Sequence, residues 1–125
     1  MPIRGNPGPR PVIWGTVPVV HITPEEASHL LAEGHVDLVD VREPHEWAQG
    51  HIPGARHVPL GQFLRDPGRH LKTPRDPVVF VCAHGIRSLT AAAAAAQRGC
   101  EKALNLDGGI AAWYAAGFPV ERTGR

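Results

Sequence analysis

The sequence predicts a single α/β domain, with a mainly parallel central sheet and helices on both faces. Short apolar runs alternate with helix-like segments, the pattern of βα units whose crossover helices cover a parallel sheet. The strongest run, Val78–Val81, is four consecutive strand formers entered from Pro77 and left at Cys82. A length of 125 residues, 42% of them hydrophobic, suits one core.

Each element has a local reason. Met1–Pro11 carries four prolines and two glycines and is expected to be a loose arm, with the domain over 12–125. Val19–Ile22 reads as a short strand. Thr23-Pro24-Glu25-Glu26 then opens a helix: Thr23 caps, Pro24 fits the first helical position, and Glu26 completes a capping box. Gly34 closes that helix. Val36–Val41, interrupted by Asp37 and Asp40, reads as a buried strand.

Pro44–Gln49 is expected to form one or two helical turns, stopped at Gly50. Arg56–Val58 is a short strand, and Leu60–Arg65 a short helix ended by Asp66-Pro67-Gly68. After Val78–Val81 comes a helix over Ser88 to Arg98, with Gly99 as its stop. It contains six consecutive alanines, Ala91–Ala96, which favour helix and a close approach to the sheet. Ala103–Leu106 is a further strand, and Gly109–Ala116 a last helix closed by Gly117. The crossovers are expected to be right-handed.

Composition excludes several functions. Thirteen Lys+Arg against twelve Asp+Glu leave a net charge of +1, and aromatic residues are 6%. A dedicated nucleic-acid binder would be more basic and more aromatic. Two cysteines supply neither a disulfide scaffold nor a Cys-rich zinc site. The eight histidines are scattered without an H-E-x-x-H pair, so no metal is expected. No apolar run reaches membrane-spanning length, and residues 1–11 lack the apolar core of a secretory signal. A cytoplasmic monomer with reduced thiols is the expectation.

The chemistry concentrates at Cys82-Ala83-His84-Gly85-Ile86-Arg87-Ser88, where the strongest strand ends and the alanine-rich helix begins. Ligands of parallel α/β sheets gather at the carboxyl ends of strands. The N-terminus of the next helix points free N–H groups and a positive dipole end at the same place. Both favour thiolate over thiol at Cys82. Arg87 adds positive charge. Gly85 permits positive φ, so that N–H groups of the loop turn inward as an anion nest. Ser88 serves either as the helix N-cap or as a hydroxyl facing the sulfur. A merely buried core cysteine would need none of these neighbours.

With Leu38-Val39-Asp40-Val41-Arg42-Glu43 followed by Glu46, then Gly50-His51-Ile52-Pro53-Gly54-Ala55, and finally Asp107-Gly108-Gly109 with Ala112-Trp113, Gly117 and Pro119, the chain resembles the rhodanese family of single-domain thiosulfate sulfurtransferases. The resemblance implies the rhodanese-like fold and ping-pong transfer of sulfane sulfur through a Cys82 persulfide. It places Cys82 as the catalytic residue and Ala83, His84, Gly85, Ile86, Arg87 and Ser88 around the bound sulfur. It calls for no cofactor. Four residues separate Cys82 from Arg87. Cysteine phosphatases use a similar loop with one residue more, which encircles a phosphate; the tighter ring suits one extra sulfur atom. The implied partners are thiosulfate or another sulfane donor, and cyanide or a thiol acceptor such as glutathione, a thioredoxin-like protein or a sulfur-carrier protein. Many members carry a basic residue just after the cysteine. Ala83 stands there instead, which weakens the case for thiosulfate against other donors. The alternative is a carrier or binding module with little small-molecule turnover.

The remaining candidates read as structural. A helix of roughly 16 Å separates Cys82 from Cys100, too far for a disulfide. Asp40 and Arg42 are expected to support the active loop rather than act as an acid/base pair, as are Glu46, Trp47 and His51. His84 is expected to contribute its backbone N–H more than its imidazole. Trp113 and Phe118 belong to the core. Arg65, Arg69, Lys72 and Arg75 form a solvated basic surface that would steer anions or a partner.

Overall fold

In the computed structural model, the described residues are 10–14, 17–72 and 75–122. They form a six-stranded sheet in the order β1-β2-β6-β5-β3-β4. The strands are β1 (Arg10–Trp14), β2 (Val17–Ile22), β3 (Asp37–Asp40), β4 (Arg56–His57), β5 (Val78–Val81) and β6 (Ala103–Leu106). All pairings from β2 to β4 are parallel; β1 alone runs antiparallel, to β2. The helices are α1 (Pro24–Glu33), α2 (Pro44–Gln49), α3 (Leu60–Arg65), α4 (Arg87–Gln97) and α5 (Gly109–Ala115), with a 3₁₀ turn at Pro67–His70.

Strand β1 is absent from the sequence reading, which ended the arm at Pro11. Residues 1–9 of that arm lie outside the described residues. Arg10 and Pro11 begin the strand, and Pro11 pairs with Val20. Proline inside a strand argues for a loop by sequence, yet it is tolerated where the strand lies at a sheet edge, as β1 does.

Alternation along each strand sends side chains to two cores. Val39, Val78 and Phe80 pack with Val19 on one face, beneath Phe63 of α3 and the alanines of α4. Leu38, Val79, Val81 and Leu106 pack on the other with Ala27 of α1 and Trp113 of α5. The alanine run earns its composition here: Ala91, Ala92, Ala93 and Ala95 are buried, so α4 lies against β2, β5 and β6. Phe63 and Phe80 meet edge-to-face at 5.2 Å.

The acidic residues that interrupt the β3 run are both paired. Asp37 accepts from Arg56 at 2.7 Å, and Asp40 from Arg42 at 2.8 Å. Thr23 and Glu26 form the expected capping box, and Gly34 closes α1 in the left-handed region. Helix α4 begins at Arg87 after Ile86 as N-cap, one residue before the expected start. Ser88 is therefore not the cap; it lies inside the first turn. Among the described residues no helix is long and apolar enough to cross a membrane.

Candidate active site

Cys82 follows β5 directly, near the middle of the sheet and at the carboxyl end of its strands. The residue is 1% exposed. Its sulfur receives the Gly85 N–H at 3.1 Å and lies 3.2 Å from the Ser88 hydroxyl. Burial pushes the thiol up. The Ser88 hydroxyl and the N–H groups of Ser88, Gly85 and His84 more than offset this, and the thiol is held below its ordinary value.

Two glycines make that loop fit. Gly85 has φ +99°, which turns its N–H onto the sulfur, and a Cβ there would stand 3.2 Å from the Gly108 nitrogen. Gly109 has φ +65°, and a Cβ on it would meet the Cys82 and Ala83 carbonyl oxygens at 2.5 Å. That close approach lets Ile110 and Ala111, in the first turn of α5, donate to the carbonyls of Cys82 and Ala83 at 2.8 and 3.2 Å. The loop is thus held between the starts of two helices. By sequence Gly109 only opens the last helix and Gly108-Gly109 belongs to the resemblance; two consecutive glycines at a helix start are the signal for this close approach.

The other loop residues divide by exposure. His84 and Ile86 face solvent, and Ala83 is half-buried. Arg87 does not point a free charge at the sulfur. Its terminal nitrogens bridge both carboxylate oxygens of Glu46, at 2.8 and 2.9 Å. Arg87 thereby lowers the Glu46 carboxyl to about 2. Glu46, grouped by sequence with the supporting residues, is the counter-ion of the active loop.

Asp40 and Arg42 are buried and joined through both Nε and Nη2 of the arginine. Arg42 also donates to the carbonyls of Glu46 and Gly50, at 3.3 and 2.7 Å. The pair therefore anchors α2, which carries Glu46. Trp47 stacks on His51 at 3.6 Å and on His57 at 4.7 Å. The two imidazoles donate to the carbonyls of Trp47 and Arg42. A cavity of about 470 Å³ lies between α2 and α5, lined by Glu46, Gln49, Ile110, Ala111, Tyr114 and Arg122 among others.

Behind the sulfur, Ser88 donates to Asn105 Oδ1. The Asn105 amide nitrogen contacts the Gly85 carbonyl at 3.2 Å and His21 Nδ1 at 3.0 Å. Sequence reasoning missed both Asn105 and His21. An amide inside the otherwise apolar Ala103–Leu106 strand was the available signal.

Cys100 lies beyond the far end of α4, buried, and burial pushes its thiol up. Trp113 is buried and meets the Phe118 ring at 4.8 Å. Arg65, Arg69, Lys72 and Arg75 are exposed. Among the described residues, no group of three or more His, Cys, Asp or Glu converges as a metal would require.

The family model "Rhodanese-like domain" matches residues 23–116. Among solved structures, the chain is 30% identical to a rhodanese-like domain protein from Staphylococcus aureus, with a TM-score of 0.69 over 83% of this chain and 98% of that one. It is 31% identical to a thiosulfate sulfurtransferase from Pseudomonas aeruginosa, with a TM-score of 0.67, covering 82% of this chain but 19% of that longer one. A Rhodopseudomonas palustris protein of unknown function, described as a possible tyrosine phosphatase, is 34% identical, with a TM-score of 0.67 over 79% of this chain and 82% of that one.

Proposed function

The chain belongs to the rhodanese-like domain family, and from that premise we propose that it is a sulfurtransferase-type module that moves sulfane sulfur through a persulfide on Cys82. The observation that carries this reading is the Gly85 N–H directed at the Cys82 sulfur at 3.1 Å, with the Ser88 hydroxyl 3.2 Å away and able to turn to it. A thiolate or a terminal persulfide sulfur carries the negative charge such donors stabilise.

In the first half-reaction the Cys82 thiolate attacks the outer sulfur of the donor. The new S–S bond forms as the donor's own S–S bond breaks, and with thiosulfate the bonding pair leaves on sulfite. In the second, cyanide or an acceptor thiolate attacks the outer sulfur of the persulfide. The pair returns to Cys82 as thiolate, and thiocyanate or an acceptor persulfide leaves. Neither half requires a cofactor. The acceptor in the cell is a small thiol, a thioredoxin-like protein or a sulfur-carrier protein.

Two features speak against a phosphatase. Only four residues separate Cys82 from Arg87, and Arg87 is already committed to Glu46. A second reading, a carrier that relays sulfur to one protein with little small-molecule turnover, draws support from the pairing of Arg87 with Glu46, which leaves the loop without a free cation for a small anionic donor. Intact mass after incubation with thiosulfate or polysulfide, beside Cys82→Ser, tests the persulfide. A gain of about 32 Da on the wild type alone is expected. No gain from any sulfane donor overturns the proposal. A gain without turnover on cyanide or small thiols selects the carrier.

A further inference from the structure

Asn105 is the third residue of β6, 1% exposed, and the transfer steps above give it no part. The orientation of its amide is determined by its neighbours. The Gly85 carbonyl, 3.2 Å away, can only accept. The amide nitrogen must therefore face Gly85, and it reaches His21 Nδ1 on the same side. The amide oxygen must then face Ser88, which donates to it.

Serine has one hydroxyl proton. While that proton lies on Asn105, Ser88 offers Cys82 only a lone pair across their 3.2 Å contact. A lone pair suits a neutral thiol that donates its S–H. It repels a thiolate.

We propose that Asn105 is a positioning residue that holds the Ser88 hydroxyl proton away from Cys82, so that the thiolate and the persulfide gain this hydrogen bond only when the hydroxyl turns from Asn105 to sulfur. The turn is a rotation about the Cβ–Oγ bond of Ser88. No covalent bond changes, and the proton that Cys82 sheds passes to water. The turn leaves the buried Asn105 oxygen without its donor, which opposes it. His21, with its proton on Nε2, anchors the amide through Nδ1. The resting cysteine is thus less ionised than it would be with the Ser88 hydroxyl free to turn to it.

The inference rests on Cys82 as the nucleophile, but its test needs no sulfur transfer. The pH dependence of iodoacetamide alkylation, read by mass at the Cys82 peptide, reports ionisation directly. Failure of sulfur uptake would remove the function proposed above and leave this result standing. Asn105→Ala is expected to move the inflection about one unit lower, the scale of one hydrogen bond to a charged group. Ser88→Ala moves it higher. In the Ser88→Ala background, Asn105→Ala adds nothing. An unchanged or raised inflection in Asn105→Ala overturns the proposal. So does a fall that persists without the Ser88 hydroxyl, because that marks solvent entry. Asn105→Val, suited to a strand, is the second variant. Should neither fold, the infrared S–H stretch of Cys100→Ala protein decides: a hydrogen-bonded donor band supports the proposal, and a free-thiol band overturns it.

Discussion

Arg87 and Glu46, 41 residues apart in sequence, meet end-on, each guanidinium nitrogen on its own carboxylate oxygen at 2.8 and 2.9 Å. The active loop therefore presents a neutralised arginine. Glu46→Gln should release that charge toward an anionic donor. The expected result is a fall in KM for thiosulfate of about threefold, the scale of roughly 0.6 kcal/mol for a partly exposed pair. KM for an uncharged sulfane donor should stay level. An equal change for both donors would contradict this account.

The same pairing predicts an acid dependence. Arg87 lowers the Glu46 carboxyl from 4.5 to about 2. A depressed native value means that the unfolded chain binds more protons in this range. The stabilisation is therefore complete above 4.5 and disappears as pH falls toward 2. The side chains are 35% and 23% exposed, so the amount is less than about 1 kcal/mol. Urea denaturation should show wild type losing its advantage over Glu46→Gln across that window. A gap that stays constant with pH would argue against the ion pair.

The two thiols should separate cleanly. Cys82 is held below its ordinary value and Cys100 is pushed above it. Iodoacetamide at pH 7 is expected to label Cys82 first, as peptide mass would show. Cys82→Ser should lose sulfur uptake by about a thousandfold or more, while Cys100→Ala keeps its turnover.

Arg42→Ala would strand Asp40, which is 0% exposed. Breaking a buried pair from one side costs about 3–5 kcal/mol, measurable as a lower urea midpoint. Asp40→Asn with Arg42→Met should cost less than Arg42→Ala alone, because no buried charge is left unpaired. A larger loss in the double variant would refute that reasoning.

Gly109→Ala tests how the loop is held. The new methyl would sit 2.5 Å from the Cys82 and Ala83 carbonyl oxygens, at φ +65°. Gly99, with φ +99°, has open space around its Cβ position. Both substitutions carry the backbone cost of about 1 kcal/mol or more. Only Gly109→Ala should also displace the loop and depress sulfur uptake. Equal uptake by the two variants would show that α5 does not position the sulfur.

Much of the fold was legible because its signals are local. Thr23 with Glu26, Gly34, the Val78–Val81 run and the alanine helix each act within a few residues. Strand β1 was hidden because Pro11 reads as a breaker and only its edge position excuses it. The 3₁₀ turn at Pro67–His70 was hidden behind Asp66-Pro67-Gly68, which reads equally well as a plain stop. In the candidate site, Cys82 and the need for Gly85 followed from their place between a strand and a helix. The same reasoning assigned Ser88 two roles. The actual helix start at Arg87 leaves it the one toward sulfur.

The sequence by itself determined the order of strands and helices from β2 to α5, the 3₁₀ turn aside, and the cysteine at the end of the strongest strand. Those depend on the periodicity and turn chemistry of neighbouring residues. Only the tertiary structure decided whether the charge of Arg87 is free and where the proton of Ser88 points. Glu46 approaches from α2 and Asn105 from β6, 41 and 17 residues from their partners. They arrive because β5 lies between β3 and β6 in the sheet. Electrostatic and hydrogen-bond partners act through distance in space, and a linear pattern of residue types carries that distance only after the strands have chosen their neighbours.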